Sequence, residues 1–252
     1  MDTGFILTFL FAAALGSYLQ SVTGFALGLV VVAMAAITGG TSIAITAAAL
    51  SIMAICNALV LVPKMWRHTS WSGTMPLLFG LAPGLVAGLL LLDILSARHA
   101  ELLQLLVGLL VLVSGGILFM RPQPREQGSS AASRTFVGIA AGILSGLFST
   151  SGPPLVIHYY RQPIPVATIR ATLISIFALL ACSRLVLVTA QGQLDALSVQ
   201  AALLALPVVT LTSWLSVKYP PKLSDLAIRR LAFALLTAIG VSTIWAALRG
   251  LV

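Results

Sequence analysis

Gly142–Tyr160 reads GILSGLFSTSGPPLVIHYY: an apolar run reaches Phe148, breaks into Ser149, Thr150, Ser151, Gly152, Pro153 and Pro154, and turns apolar again. Inside a membrane, irregular backbone leaves N–H and C=O groups that lipid cannot satisfy. Such a break is tolerated where protein buries it or where it lines a wet cavity. One reading is a split helix whose second half starts at the break, capped by Ser or Thr, with proline in a first turn that has no N–H to orphan. The amides and dipole of that helix start would face an anion. The other reading is a surface loop between two short helices.

The surroundings are membrane-like throughout. Of 252 residues, 59% are hydrophobic and 8% charged, with a mean hydropathy of +1.08, against roughly 25% charged in soluble domains. The chain therefore reads as an all-α integral membrane protein. At about 20 apolar residues per span it has room for about eight spans and no soluble domain. The start, MDTGFILTFLF, lacks a basic region and a small-residue cleavage site, so it reads as a first span. The net charge of +8 sits mostly in loops, where cations set orientation and meet lipid headgroups, so a nucleic-acid partner is not expected. Cys56 and Cys182 have no paired-ligand spacing and read as packing residues. Neither a metal nor a cofactor is called for.

A first apolar segment, about Phe5 to Ile37, is interrupted by Gln20, Ser21, Thr23 and Gly24. Further spans are expected at about 42–62, 73–92 and 102–119. A polar linker, RPQPREQGSSAASR, covers 121–134. The broken segment at 135–160 follows, then spans at about 166–190, 197–217 and 229–248. The chain thus divides into a first membrane repeat at 1–120, the linker, and a second repeat at 135–252. The halves resemble each other: SIAITAAALSIMAICNALVL from Ser42 lies over VATIRATLISIFALLACSRLVL from Val166, and Pro83 answers Pro207. Each half opens with an interrupted helix, which in two repeats points to a transport site between them. Placing the Lys64–His68 loop and the linker in the cytoplasm follows the positive-inside rule. Eight simple crossings then put the basic 218–230 loop outside; one extra crossing or a re-entrant hairpin removes that conflict.

With Gln20–Phe25 matching Q-x-x-T-G-F and Ser151–Val156 reading S-G-P-P-L-V before Tyr159 and Tyr160, the chain resembles the TauE/SafE family of sulfite-exporter-type membrane proteins along essentially its whole length. One departure is Ala26, where many members carry glycine. The resemblance implies a multi-pass transporter of the cell membrane, a bacterial inner membrane, exporting small sulfur-containing anions such as sulfite or sulfonates. The alternative reading is a passive anion channel. A homodimer is compatible with the sequence, which fixes no oligomeric state.

The residues expected to bind substrate are Gln20, Ser21, Thr23 and Gly24 at the first break and Ser149, Thr150, Ser151, Gly152 and Pro153 at the second, with His158, Arg170 and Arg184. The arginines fall in one apolar run, 14 positions apart, on nearly one face about 21 Å apart. Each either faces a wet path or snorkels to its interface. His158 reads as an anion or proton site or as a packing histidine. Asn57 reads as a ligand or, preferably, as an interhelical hydrogen-bonding residue. No carboxylate falls in mid-span, which argues against a carboxylate proton relay or sodium site. An intramembrane hydrolase built on Ser145 and His158 is disfavoured, because both share one segment and no oxyanion hole accompanies them. The spacing of Gly142 and Gly146 more simply allows close helix contact.

Overall fold

The computed structural model describes residues 3–38, 43–71, 73–96, 109, 128–149 and 151–224, with scattered positions between 227 and 245. The expected fourth span, the linker up to residue 127, Thr150 and much of the eighth span lie outside the described residues. Among the described residues the protein is all-helical. The elements are α1 Thr3–Thr23, α2 Leu27–Thr38, α3 Ile43–Met65 with a 3-10 turn at Trp66–His68, α4 Met75–Ser96, α5 Ala131–Phe148, α6 Gly152–Tyr160, α7 Val166–Ala190 and α8 Ala196–Lys218. Six of them (α1, α3, α4, α5, α7 and α8) are long and apolar enough to cross a membrane. This is a multi-pass membrane protein. α5 starts ahead of the expected Thr135 because the Ser130 hydroxyl accepts from Ser133 N–H and caps it.

Both interrupted segments fold back as hairpins instead of continuing across. A Cβ on Gly16 of α1 would lie 3.0 Å from Leu27 Cα at the start of α2, whereas eleven residues of continuous helix would separate them by about 16 Å. In the second segment, Ser129 just before α5 and Gln162 just after α6 are bonded twice, at 3.2 and 2.7 Å. A continuous helix would hold them about 50 Å apart.

The hairpins enter from opposite faces. The turn between α3 and α4 marks one face: Arg134 of α5 donates to Gly73 O at 3.1 Å, Tyr159 of α6 bonds Thr74 at 2.8 Å, and the Ser70 amide donates to Thr172 of α7 at 3.0 Å. α8 runs parallel to α3, joined by Cys56 to Thr210 and Asn57 to Ser213, so Lys218 reaches that face too. On the opposite face Gln193, after α7, donates to Asp93 of α4. α1 and α2 form the hairpin on that side, because only four residues separate α2 from the start of α3. A hairpin adds no net crossing. The helix ends and loops bearing Lys64 and Arg67, Arg134 and Arg161, and Lys218 and Lys222 therefore share one face, which removes the conflict that eight simple crossings create.

Glycine sets the closest helix contact. Gly80, Gly84 and Gly88 of α4 interleave with Gly138, Gly142 and Gly146 of α5, and a Cβ on any of them would come within 2.1–2.6 Å of the partner backbone. Small residues at every fourth position let the backbones meet directly.

Candidate functional site

The two hairpins overlap around a shared cavity, the turn of the first lying against Arg170 near the start of α7 and that of the second beside Arg184 further along it. In the first, α1 ends at Thr23 and the chain turns through Gly24 at φ 84° and Ala26 at φ 118°. Glycine takes the left-handed region without strain, and a side chain at Gly24 would also lie 2.8 Å from Arg170 Cα. Ala26 has no such freedom. The buried Thr23 hydroxyl lies 2.8 Å from Leu19 O and 2.7 Å from Phe25 O, tying the turn together. In the second tip, Ser149 caps α5 at φ 53° and α6 begins at Gly152.

The last carbonyls of α1 and α5 have no partner within their own helices, and α7 supplies one to each. Arg170 donates to Ser21 O, and Arg184 Nε donates to Gly146 O at 3.4 Å. A cation at a helix C-terminus also complements its dipole. Tyr160 of α6 adds a third bond, its hydroxyl donating to Thr23 O at 2.6 Å while its ring meets Phe25 edge-on.

Between the tips lies a cavity of about 30 Å³, room for about two waters. Gln20, Phe25 and Ala26 wall it from the first hairpin, and Ser145, Ser149, Ser151 and Gly152 from the second. Leu50 of α3 with Phe177 and Ala181 of α7 close the rest. Ser149 bonds Ser51 of α3 at 2.8 Å, and Ser51 accepts from Arg184 Nη1 at 3.3 Å. Arg184 is 2% exposed, and its partners among the described residues are these two neutral oxygens. The described carboxylates are engaged elsewhere: Asp93 with Gln193, Asp195 capping α8. A buried guanidinium held by two long bonds and no carboxylate is an unneutralised positive centre. It stands one hydroxyl behind the cavity wall.

Of the sequence-expected residues, the structure brings Gln20, Ser149, Ser151 and Gly152 to the cavity wall, with Arg184 behind it. Ser21, Thr23, Gly24, Pro153, His158 and Arg170 do not line it. Ser21 donates back to Tyr18 O, and Arg170 caps α1. Thr150 lies outside the described residues. The free amides expected at the helix starts are fewer than the motifs suggest. Leu27 N–H of α2 is taken by Gln20 Oε1 at 3.2 Å, and Pro153 and Pro154 have no N–H, which leaves Gly152 as the main backbone donor of α6. Ser145 and Ser151 keep hydroxyls with no hydrogen-bond partner among the described residues. Sequence reasoning missed Ser51, although its SIM string matches SIF in the other half. It weighed Ser145 only as a nucleophile, although Ser145 stands one turn before Ser149. Ser145 lines the cavity and His158 does not, so the cavity does not join that pair.

The sulfite exporter TauE/SafE family model matches residues 9–243. The chain belongs to that family. It is also 37% identical, over 90% of its length and 89% of the relative's, to a protein of Cupriavidus necator named "Probable sulfite/organosulfonate exporter TauE". No solved structure matches it significantly. TauE/SafE proteins are membrane transporters and not enzymes, so the cavity belongs to a transport protein.

Proposed function

We propose that this TauE/SafE protein exports small sulfur oxyanions of the sulfite or sulfonate type across the cell membrane, binding them between the two hairpin tips. The observation that carries the reading is Arg184: a buried cation with no carboxylate partner among the described residues, next to a cavity edged by Ser145, Ser149, Ser151 and Gln20. Low dielectric strengthens its attraction for an anion. The cavity volume suits a compact oxyanion head better than a long organic tail.

The hairpins are the openings of two inverted repeats. SVTGFAL at Ser21–Leu27 aligns with STSGPPL at Ser149–Leu155, and the two enter from opposite faces, as inverted-repeat transporters arrange their broken segments around a central site. The basic face is cytoplasmic by the positive-inside rule. A net monovalent anion leaving an inside-negative cell gains about 2.3 kcal/mol per 100 mV, enough for roughly a 40-fold outward gradient, so export needs no coupling ion. The test is counterflow of labelled sulfite, sulfoacetate, taurine and thiosulfate in proteoliposomes. Exchange of at least one of these anions is expected, and transport of none refutes the reading.

A further inference from the structure

We propose that Asn57 and Ser213 are positioning residues that hold Gln20 with an N–H turned to the cavity, so that the first hairpin accepts only a hydrogen-bond acceptor there. The proposal deepens the anion reading above and rests on it.

Four hydrogen bonds form one chain through α2, α1, α3 and α8. Leu27 N–H donates to Gln20 Oε1 at 3.2 Å, and Gln20 Nε2 donates to Asn57 Oδ1 at 2.8 Å. Asn57 Nδ2 donates to Ser213 Oγ at 2.7 Å, and Ser213 Oγ donates to Val209 O at 2.6 Å. Both ends are backbone groups whose roles cannot reverse: Leu27 N–H can only donate and Val209 O can only accept. The direction of every bond between them is therefore fixed, including which way both amides point. Flipping Gln20 sets donor against donor at Leu27 and acceptor against acceptor at Asn57, and flipping Asn57 alone sets donor against donor at Gln20. Asn57 and Ser213 are fully buried and off the cavity wall, so no water repairs a mismatch between them.

Gln20 lines the cavity with its carbonyl already occupied. What it has left is the second hydrogen of Nε2, which has no partner among the described residues. A deprotonated oxyanion oxygen satisfies that hydrogen, whereas a ligand amine or hydroxyl donor set against it does not. For a sulfonate with an amino tail, the sulfonate end therefore faces Gln20. Asn57 and Ser213 act at a distance, by keeping the amide from turning over.

Two variants of the full-length protein test this. Ser213→Ala removes the acceptor of Asn57 Nδ2 without adding bulk, so that Asn57 loosens and Leu27 N–H alone is left to hold the Gln20 amide. Gln20→Glu keeps the acceptor for Leu27 N–H but reverses the rest of the chain, with Asn57 donating to the carboxylate and Ser213 donating to Asn57, so it folds while presenting an acceptor to the cavity. In [35S]sulfite counterflow, Ser213→Ala is expected to raise the half-saturating concentration about tenfold, the effect of one lost hydrogen bond, with the maximal rate within about twofold. Gln20→Glu is expected to show no saturable sulfite exchange at an unchanged melting temperature. In glutamine-labelled protein the Gln20 side-chain amide signal is expected to move in Ser213→Ala. A Gln20 signal that stays in place overturns the chain, as does a fall in maximal rate at unchanged half-saturation or saturable exchange in Gln20→Glu. If the wild-type protein carries no sulfite, the anion reading fails, and the Gln20 signal still decides the chain.

Discussion

Replacing Gly142 by alanine should loosen the bundle at its tightest contact. The new Cβ would stand 2.4 Å from Leu81 O and 2.7 Å from Leu85 N. Both are backbone atoms of α4, so no side-chain rotation makes room. Ordinary Cβ contacts begin near 3.4 Å, and α4 and α5 must separate locally by about 1 Å. Overpacking costs about 1–3 kcal/mol, here at the upper end of about 2–3 because the clash is with backbone, and alanine recovers about 1 kcal/mol over glycine within a helix. The net loss of roughly 1–2 kcal/mol corresponds to a fall in melting temperature of about 2–8 °C for a chain of this size. α5 also carries Gly146, whose carbonyl holds Arg184, so the same variant should raise the half-saturating sulfite concentration. Gly128→Ala is the control, since its nearest neighbour would be 3.7 Å away. Thermal unfolding in detergent compares the three proteins. A melting temperature for Gly142→Ala within 1 °C of wild type would refute backbone-to-backbone packing of α4 on α5.

Ala26→Gly should raise the melting temperature, because a φ of 118° strains alanine by about 1–3 kcal/mol, more than the roughly 0.4–1 kcal/mol that glycine adds to unfolded-state freedom; a lower value contradicts the strain. Tyr160→Phe removes the donor to Thr23 O and should lower stability by about 1–3 kcal/mol, read in the same unfolding assay. A cysteine in place of Lys64 or Lys222 should be labelled only from the cytoplasm and one in place of Gln193 only from outside, whereas labelling of Lys222→Cys and Lys64→Cys from opposite sides contradicts the hairpin topology. In proteoliposomes, reversing a valinomycin-set potential should reverse net sulfite flux, and removing sodium should leave it unchanged.

The membrane class, the helix at 166–190 and both interruptions were legible from composition and from the proline, glycine and serine breaks. The reversal of direction at each break was not, because no local residue pattern distinguishes a broken span from a hairpin. It depends on distant pairs such as Ser129 with Gln162 and on Gly16 against Leu27. Thr23 and Gly24 read as ligands, yet they build the turn, because shaping a tight bend and contacting a ligand favour the same small polar residues. The two arginines looked alike in sequence. The fold separates them, with Arg170 capping α1 and Arg184 buried behind the cavity. Ser51 and Ser213 were silent, since a serine in an apolar helix bonds its own backbone as readily as a neighbour.

The central claim is that Arg184 provides the charge that holds the anion between the tips, and sulfite counterflow by Arg184→Gln tests it most directly. Removing a buried cation that lacks a carboxylate partner among the described residues relieves its desolvation, so the variant should fold and melt no lower than wild type. Acting through the Ser51 and Ser149 hydroxyls in a low-dielectric site, the charge is worth about 1.5–3 kcal/mol, so affinity for sulfite should fall roughly 10- to 150-fold. Wild-type half-saturation and rate in Arg184→Gln would contradict the account.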